Sequence, residues 1–157
     1  MMMRISDVLT PEMSLCDLHW SSKKKVFENL AQFISKNLDG DTDRAEALFQ
    51  SMVARERLGS TGIGKGVAVP HCRVNGLNRV YGCLIKLNFS VDYDSIDNQP
   101  VDLIFALIVP DVQNDDHEKT LAYVTKVLQR ANSREKLRAC RNNQQLFNTL
   151  IKLEQSI

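Results

Sequence analysis

The chain has 157 residues and a formal charge of +1, from 20 Lys and Arg against 19 Asp and Glu. Its 43% hydrophobic and 25% charged fractions exclude a disordered or fibrous chain, and the even charge balance excludes a molecule-wide field for nucleic acid or a membrane surface. One domain, residues 1–157, is expected, with a core large enough to close without metals or disulfides.

The Met-rich start is interrupted by Arg4, Ser6 and Asp7, so no secretory leader is expected. Cys16, Leu18 and Trp20 share one side of an alternating stretch from Met13 to Trp20, which predicts a short strand. Ser21 or Ser22 then caps a helix carrying Val26, Leu30, Phe33, Ile34 and Leu38, ending near Gly40. A second helix, capped by Asp41 or Thr42, carries Ala45, Leu48, Phe49, Met52 and Val53, places Arg55 and Arg57 in its last turn, and stops at Gly59. The stretch from Gly59 to Gly66 holds four glycines and reads as a tight loop. Val67 to Val69 resumes an apolar run, and strands are expected at Val80–Leu87 and Val101–Val109 on either side of an Asp97-Asn-Gln-Pro100 turn. The longest apolar run, Leu103 to Val109, spans seven residues; a membrane helix needs roughly 20, so this run predicts a strand covered on both faces. Asp115 and Asp116 open a third helix with Leu121, Val124 and Leu128 inward, interrupted at Asn132; Leu137 and then Leu146, Leu150 and Leu153 mark two more helical pieces. Helices mixed with strands predict an α/β layered domain.

The glycine loop matches the opening of a P-loop, GxxxxGK, from Gly59 to Lys65, but Gly66 stands where Ser or Thr would hold Mg²⁺ and a helix rather than a strand precedes it. Gly62, Gly64 and Gly66 likewise fail the dinucleotide spacing. What remains is either a plain linker or a wall of backbone donors. In the second case Ser60, Thr61 and Gly62 are its candidates for a phosphate pocket.

Of the three histidines, His71 follows Pro70 at what would be a strand end, and His117 lies in the first turn of the third helix. Both can face one crevice. A neutral imidazole is a good phosphoryl acceptor near neutral pH, and such a site needs donors for the phosphoryl oxygens. Arg55 and the first turn of the His117 helix can supply them, although an arginine at a helix C-terminus is also favourable as a plain solvated charge. Four cysteines, Cys16, Cys72, Cys83 and Cys140, form no CxxC pair and suit reduced cytoplasmic thiols. Cys72 adjoins His71, but sequence neighbours seldom aim at one ion, no HxxxH spacing exists, and no GxSxG elbow is present. Neither a metal nor a cofactor is expected.

The blocks Arg55-Glu-Arg-Leu-Gly-Ser-Thr-Gly-Ile-Gly-Lys-Gly-Val-Ala-Val-Pro-His71 and Asp97-Asn-Gln-Pro-Val-Asp-Leu-Ile-Phe-Ala-Leu-Ile-Val-Pro110, followed by His117, resemble the fructose/mannitol-type IIA domains of the bacterial phosphoenolpyruvate-dependent phosphotransferase system. The likeness is nearest to the nitrogen-regulatory branch and covers nearly the whole chain. It implies a cytoplasmic domain of the phosphotransferase/anion-transporter-like fold, with a mixed sheet flanked by helices, that takes phosphate from a histidine phosphocarrier protein. In that family the position of His71 carries phosphate on Nε2, and His117 and Arg55 match the pocket histidine and arginine. The branch further implies regulated partners, such as transporters or sensor kinases, in nitrogen, carbon or potassium control, with no nucleic acid and no membrane insertion. A sugar-specific IIA subunit feeding a IIB partner is the alternative, and a phosphate-independent interaction module the third. Two positions depart from the family pattern. Cys72 stands where a small Gly commonly follows the active histidine, which would narrow the pocket or add an oxidisable thiol. Lys65 stands where sugar-transport members often carry an acidic residue, which favours the regulatory branch.

Overall fold

Every residue from Leu103 to Val109 is buried, so the strand that carries them, β6 (Val101–Pro110), lies inside a layered core. The computed structural model describes residues 3–38, 43–112 and 115–156. Along the chain, α1 (Ile5–Val8), a 3₁₀ turn (Pro11–Met13) and β1 (Ser14–Leu18) lead into α2 (Lys23–Lys36) and α3 (Ala45–Arg57). Four strands, β2 (Gly62–Gly64), β3 (Val67–Ala68), β4 (His71–Val74) and β5 (Tyr81–Val91), precede β6, and α4 (Asp115–Leu128), α5 (Ala131–Arg138) and α6 (Asn143–Gln155) close the fold.

The sheet is mixed, in the order β1-β5-β6-β3-β2, with β4 also pairing with β6. β5 runs antiparallel to β6, while β1 runs parallel to β5 and both β3 and β4 run parallel to β6. β3 and β4 keep the same offset along β6, since Val67 faces Leu103 and His71 faces Leu107. They therefore follow one line along β6 interrupted by Pro70, which has no N–H to give but still accepts from Leu107 N–H at 2.9 Å. α3 packs on β4, α2 on α3, and α6 on β1.

Local chemistry explains most ends. The Ser22 side chain caps α2 by accepting from Lys25 N–H, and Asn142 caps α6 by accepting from Gln145 N–H. α2 stops at Lys36 with Asn37 as its cap; the expected signals at Gly40, Asp41 and Thr42 lie outside the described residues, and α3 is entered through Arg44.

Two expectations need correction. The glycine-rich stretch is only partly loop. Gly62–Gly64 pairs antiparallel with β3 through a two-residue turn in which Lys65 (φ 58°) and Gly66 (φ 80°) both adopt the left-handed region. That combination matches the right-handed twist of a tight hairpin. His71 also does not end the strand begun at Val67; it opens β4 beyond the proline break.

Candidate functional site

Three elements converge on a cavity of about 380 Å³ lined by Arg55, Leu58, His71, Arg73, His117 and Leu121, among others. The last turn of α3 brings Arg55, the first residue of β4 is His71, and the first turn of α4 carries His117. This juxtaposition follows from sheet order. β4 lies along the C-terminal half of β6, so the residue after Pro70 sits near the end of β6, where the chain departs toward α4.

His71 is held at both ring nitrogens. Its Nε2 accepts from Arg55 Nε at 3.1 Å, and Nδ1 lies 3.1 Å from the carbonyl oxygen of Val69. A guanidinium can only donate, so Nε2 carries the lone pair and Nδ1 carries the proton given to Val69. Burial disfavours the imidazolium and lowers the His71 pKa below the ordinary histidine value; the Val69 carbonyl works against this, and the Arg55 charge reinforces it. The outcome is a neutral ring with its nucleophilic nitrogen facing a guanidinium. Arg55 also donates through a terminal nitrogen to Gly59 O at 2.8 Å, which holds the fork beside the ring nitrogen.

The His117 ring is half-buried on the cavity wall, and its Nδ1 is buried with no hydrogen-bond partner among the described residues. α4 begins at Asp115, and its residues His117, Glu118 and Leu121 line this wall.

The loop residues Ser60, Thr61 and Gly62 do not line the cavity. Thr61 N–H and Oγ1–H go to the Glu56 carboxylate at the end of α3, at 3.0 and 2.7 Å, and Gly62 N–H goes to Ser60 Oγ at 3.1 Å. The structure thus places Ser60, Thr61 and Gly62 apart from the Arg55, His71 and His117 cavity. Lys65 also lies apart, at the hairpin turn beside a different hollow. Cys72 forms part of the cavity wall but is 5% exposed, and burial pushes its thiol up to about 11. It remains a thiol at neutral pH, so the expected oxidisable character is suppressed.

Sequence reasoning missed Glu56. In the run Arg55-Glu-Arg57 it reads as one more solvated charge at a helix end. Its side chain is instead only 8% exposed, with Lys23 Nζ 2.7 Å away. Burial by itself would raise the carboxyl, but the Lys23 ammonium and the Thr61 donors outweigh it and hold the group below the usual range. Its partner Thr61 lies five residues further along the chain. Among the described residues, no three His, Cys, Asp or Glu converge as metal ligands, and no helix is long and apolar enough to cross a membrane.

Residues 7–153 match the family model of the phosphoenolpyruvate-dependent sugar phosphotransferase system, EIIA 2. The nitrogen regulatory protein of Pseudomonas aeruginosa is 37% identical over 153 residues, covering 98% of both chains. The crystal structure of the nitrogen regulatory protein IIA-Ntr from Neisseria meningitidis superposes with a TM-score of 0.85 at 30% identity, over 93% of this chain and 98% of that one. IIA mannitol from Escherichia coli, at 17% identity and a TM-score of 0.70 over 90% and 97% of the two chains, shares the fold. The chain belongs to the EIIA 2 family of phosphotransferase-system phosphotransfer components, in its nitrogen-regulatory branch.

Proposed function

We propose that His71 accepts a phosphoryl group on Nε2 from a cytoplasmic histidine phosphocarrier protein, and that its phosphorylation state controls what the protein binds. The carrying observation is the Arg55 Nε–His71 Nε2 contact of 3.1 Å at a cavity that also presents His117. The Nε2 lone pair attacks phosphorus while the bond to the donor's ring nitrogen breaks and its electron pair returns to the donor. For this Arg55 first leaves the ring nitrogen for the incoming phosphoryl oxygens, which frees the Nε2 lone pair; the move is short for a guanidinium already held by Gly59 O. His117 lines the same pocket. Leu58, 85% exposed on the cavity rim, offers apolar contact to the incoming protein.

Phosphorylation places roughly −2 of charge and strong acceptors in a cavity whose own charged wall is Arg55, Arg73 and Glu118. A regulated transporter or sensor kinase reads that change as a different surface. The test is incubation with phosphoenolpyruvate and the upstream relay proteins, followed by intact mass and acid treatment. An acid-labile adduct of one phosphoryl group is expected in the wild type and none in His71→Ala; an adduct that survives His71→Ala removes the assignment. Quantitative passage of the label to a sugar-specific IIB protein would replace regulation with transport as the output, and absence of any adduct would leave a phosphate-independent interaction module.

A further inference from the structure

We infer that Glu56 is a positioning residue for His71, setting the ring's orientation and tautomer through Thr61 without touching the imidazole. This rests on the reading of His71 as the phosphoryl acceptor only for its effect on rate; the ring geometry is measurable without it.

The connection is a directed series of hydrogen bonds. The Glu56 carboxylate accepts both the backbone N–H and the hydroxyl of Thr61. Because a carboxylate only accepts, the Thr61 hydroxyl donates to it and must itself accept from Tyr93 O–H, 2.9 Å away. Tyr93 is fully buried, and burial raises its pKa so that the phenol stays protonated and keeps donating. Thr61 is thereby clamped by three bonds, and its carbonyl accepts from Val69 N–H at 2.9 Å. The Val69 carbonyl is the group that receives the His71 Nδ1 proton. The same loop carries Gly59, whose carbonyl holds the Arg55 fork on the other ring nitrogen. Both ring nitrogens therefore depend on a segment whose anchor is Glu56.

Lys23 completes the anchor. Its ammonium sits 2.7 Å from the Glu56 carboxylate and 4.7 Å from the centre of the Tyr93 ring, tying α2 to the last turn of α3. None of Lys23, Glu56, Thr61 and Tyr93 lines the cavity at His71. The arrangement keeps the proton on Nδ1 and leaves Nε2 unprotonated, the form that can accept a phosphoryl group. Without the clamp on Thr61, the Val69 carbonyl loses its fixed place, the ring exchanges between tautomers, and the Nε2-protonated fraction is inert.

The experiment is long-range ¹H–¹⁵N NMR of the histidine rings in the full chain at a pH where His71 is neutral, paired with the rate of adduct formation by intact mass. The wild type is expected to show Nδ1 protonated and Nε2 bare. Glu56→Ala is expected to shift the ring toward the mixed tautomers of free imidazole and to slow adduct formation by roughly 10-fold, the scale of a small misplacement at a reacting group. Glu56→Gln, which still offers one oxygen to Thr61, is expected to restore the wild-type tautomer and most of the rate. Wild-type tautomer and rate in a folded Glu56→Ala would overturn the assignment. Should Glu56→Ala fail to fold, Glu56→Asp keeps the charge beside Lys23 but withdraws the oxygens by one methylene; an unchanged tautomer there is equally fatal. A wild type that takes up no phosphoryl group would end the acceptor reading, while the tautomer measurement would still decide the role of Glu56.

Discussion

Two arginines hold opposite ends of the glycine-rich segment, and they do so in different electrostatic company. Arg55 donates to Gly59 O and to the neutral His71 ring. Arg138 donates to Lys65 O and makes a two-nitrogen contact with the Asp102 carboxylate, with its ion pair at 2.9 Å. The hollow beside Arg138 is the larger, about 560 Å³ against about 380 Å³ at His71. Volume misleads here. A guanidinium paired with a carboxylate is already neutralised, whereas one resting on a ring nitrogen and a carbonyl keeps its charge for an arriving anion. Chemistry, not size, identifies the smaller hollow as the site.

The sharpest way to break this contrast is to remove Arg55. Arg55→Ala is expected to slow adduct formation on His71 by on the order of 10²-fold, the usual loss when one preorganised donor is taken from a developing anion. Its melting temperature should hardly move, because a partly exposed side chain contributes little to stability. Mass-resolved time courses and a thermal melt on the same preparation check both halves. A normal rate in Arg55→Ala would mean that the free charge has no part in the chemistry.

The next largest effect lies on the segment between the two arginines. A Cβ built on Gly62 would fall 2.1 Å from Ser95 Oγ and 2.8 Å from Ser95 Cβ, so Gly62→Ala must push the 95–98 turn away from β2. The cost is expected to be about 1–3 kcal/mol, the range for overpacking a closed site. The Ser95 hydroxyl is buried without a partner among the described residues, so Ser95→Gly should lose little alone and rescue much of the Gly62→Ala deficit. Urea unfolding of the single and double variants measures the coupling. Simple additivity would show that the contact is not tight.

How far these contacts could be read in the sequence differs along the chain. The Leu30–Ile34 and Leu146–Leu150–Leu153 spacings betray α2 and α6, and the unbroken Leu103–Val109 run betrays the central strand, because burial alone imposes those patterns. β4 was not legible. His-Cys-Arg-Val has no apolar run, and its strand form comes from β6 alongside it. β2 was hidden for the same reason, since three residues of Gly-Ile-Gly become a strand only against Val67 and Ala68. At the site, Arg55, His71 and His117 were recognisable as residue types that handle a phosphoryl group. The inward turn of Glu56 was not, because a buried carboxylate and an exposed one look alike until their partners are placed.

Protonation offers a finer test of the two environments. Burial holds the His71 pKa below its ordinary value and the Arg55 charge adds to this, against the Val69 carbonyl. The adduct rate is therefore expected to rise with pH up to that lowered midpoint and to be flat above it, through neutrality. Arg55→Ala should move the midpoint upward, whereas Arg138→Ala should leave it in place. The sign for stability follows by linkage: between the folded pKa and the unfolded value near about 6.5 the unfolded chain takes up a proton that the folded ring refuses. The contribution is thus complete above the unfolded pKa and declines as pH falls through that window. Histidine ¹³C or ¹H shifts across the titration give the midpoints directly, and a midpoint at or above the ordinary value would contradict the burial of the ring.

The smallest effect is expected at the paired arginine. The Arg138 and Asp102 side chains are 36% and 24% exposed, so water screens their charge and Arg138→Ala should cost only about 1 kcal/mol. That loss has a definite location. Arg138 ties α5 to the hairpin turn through Lys65 O, and Asp97 tethers the same turn by accepting from Lys65 N–H at 2.8 Å. Gly66 O also accepts from Asp102 and Leu103 N–H, so with one tether fewer the turn should exchange its amides modestly faster while β6 and the Arg55–His71 contact stay protected. Hydrogen exchange resolved by residue can see this, and the adduct rate should equal that of the wild type. A slowed rate in Arg138→Ala would mean that the hairpin transmits its position along Gly59–Gly66 to the other arginine, and that the two ends of the segment act as one device.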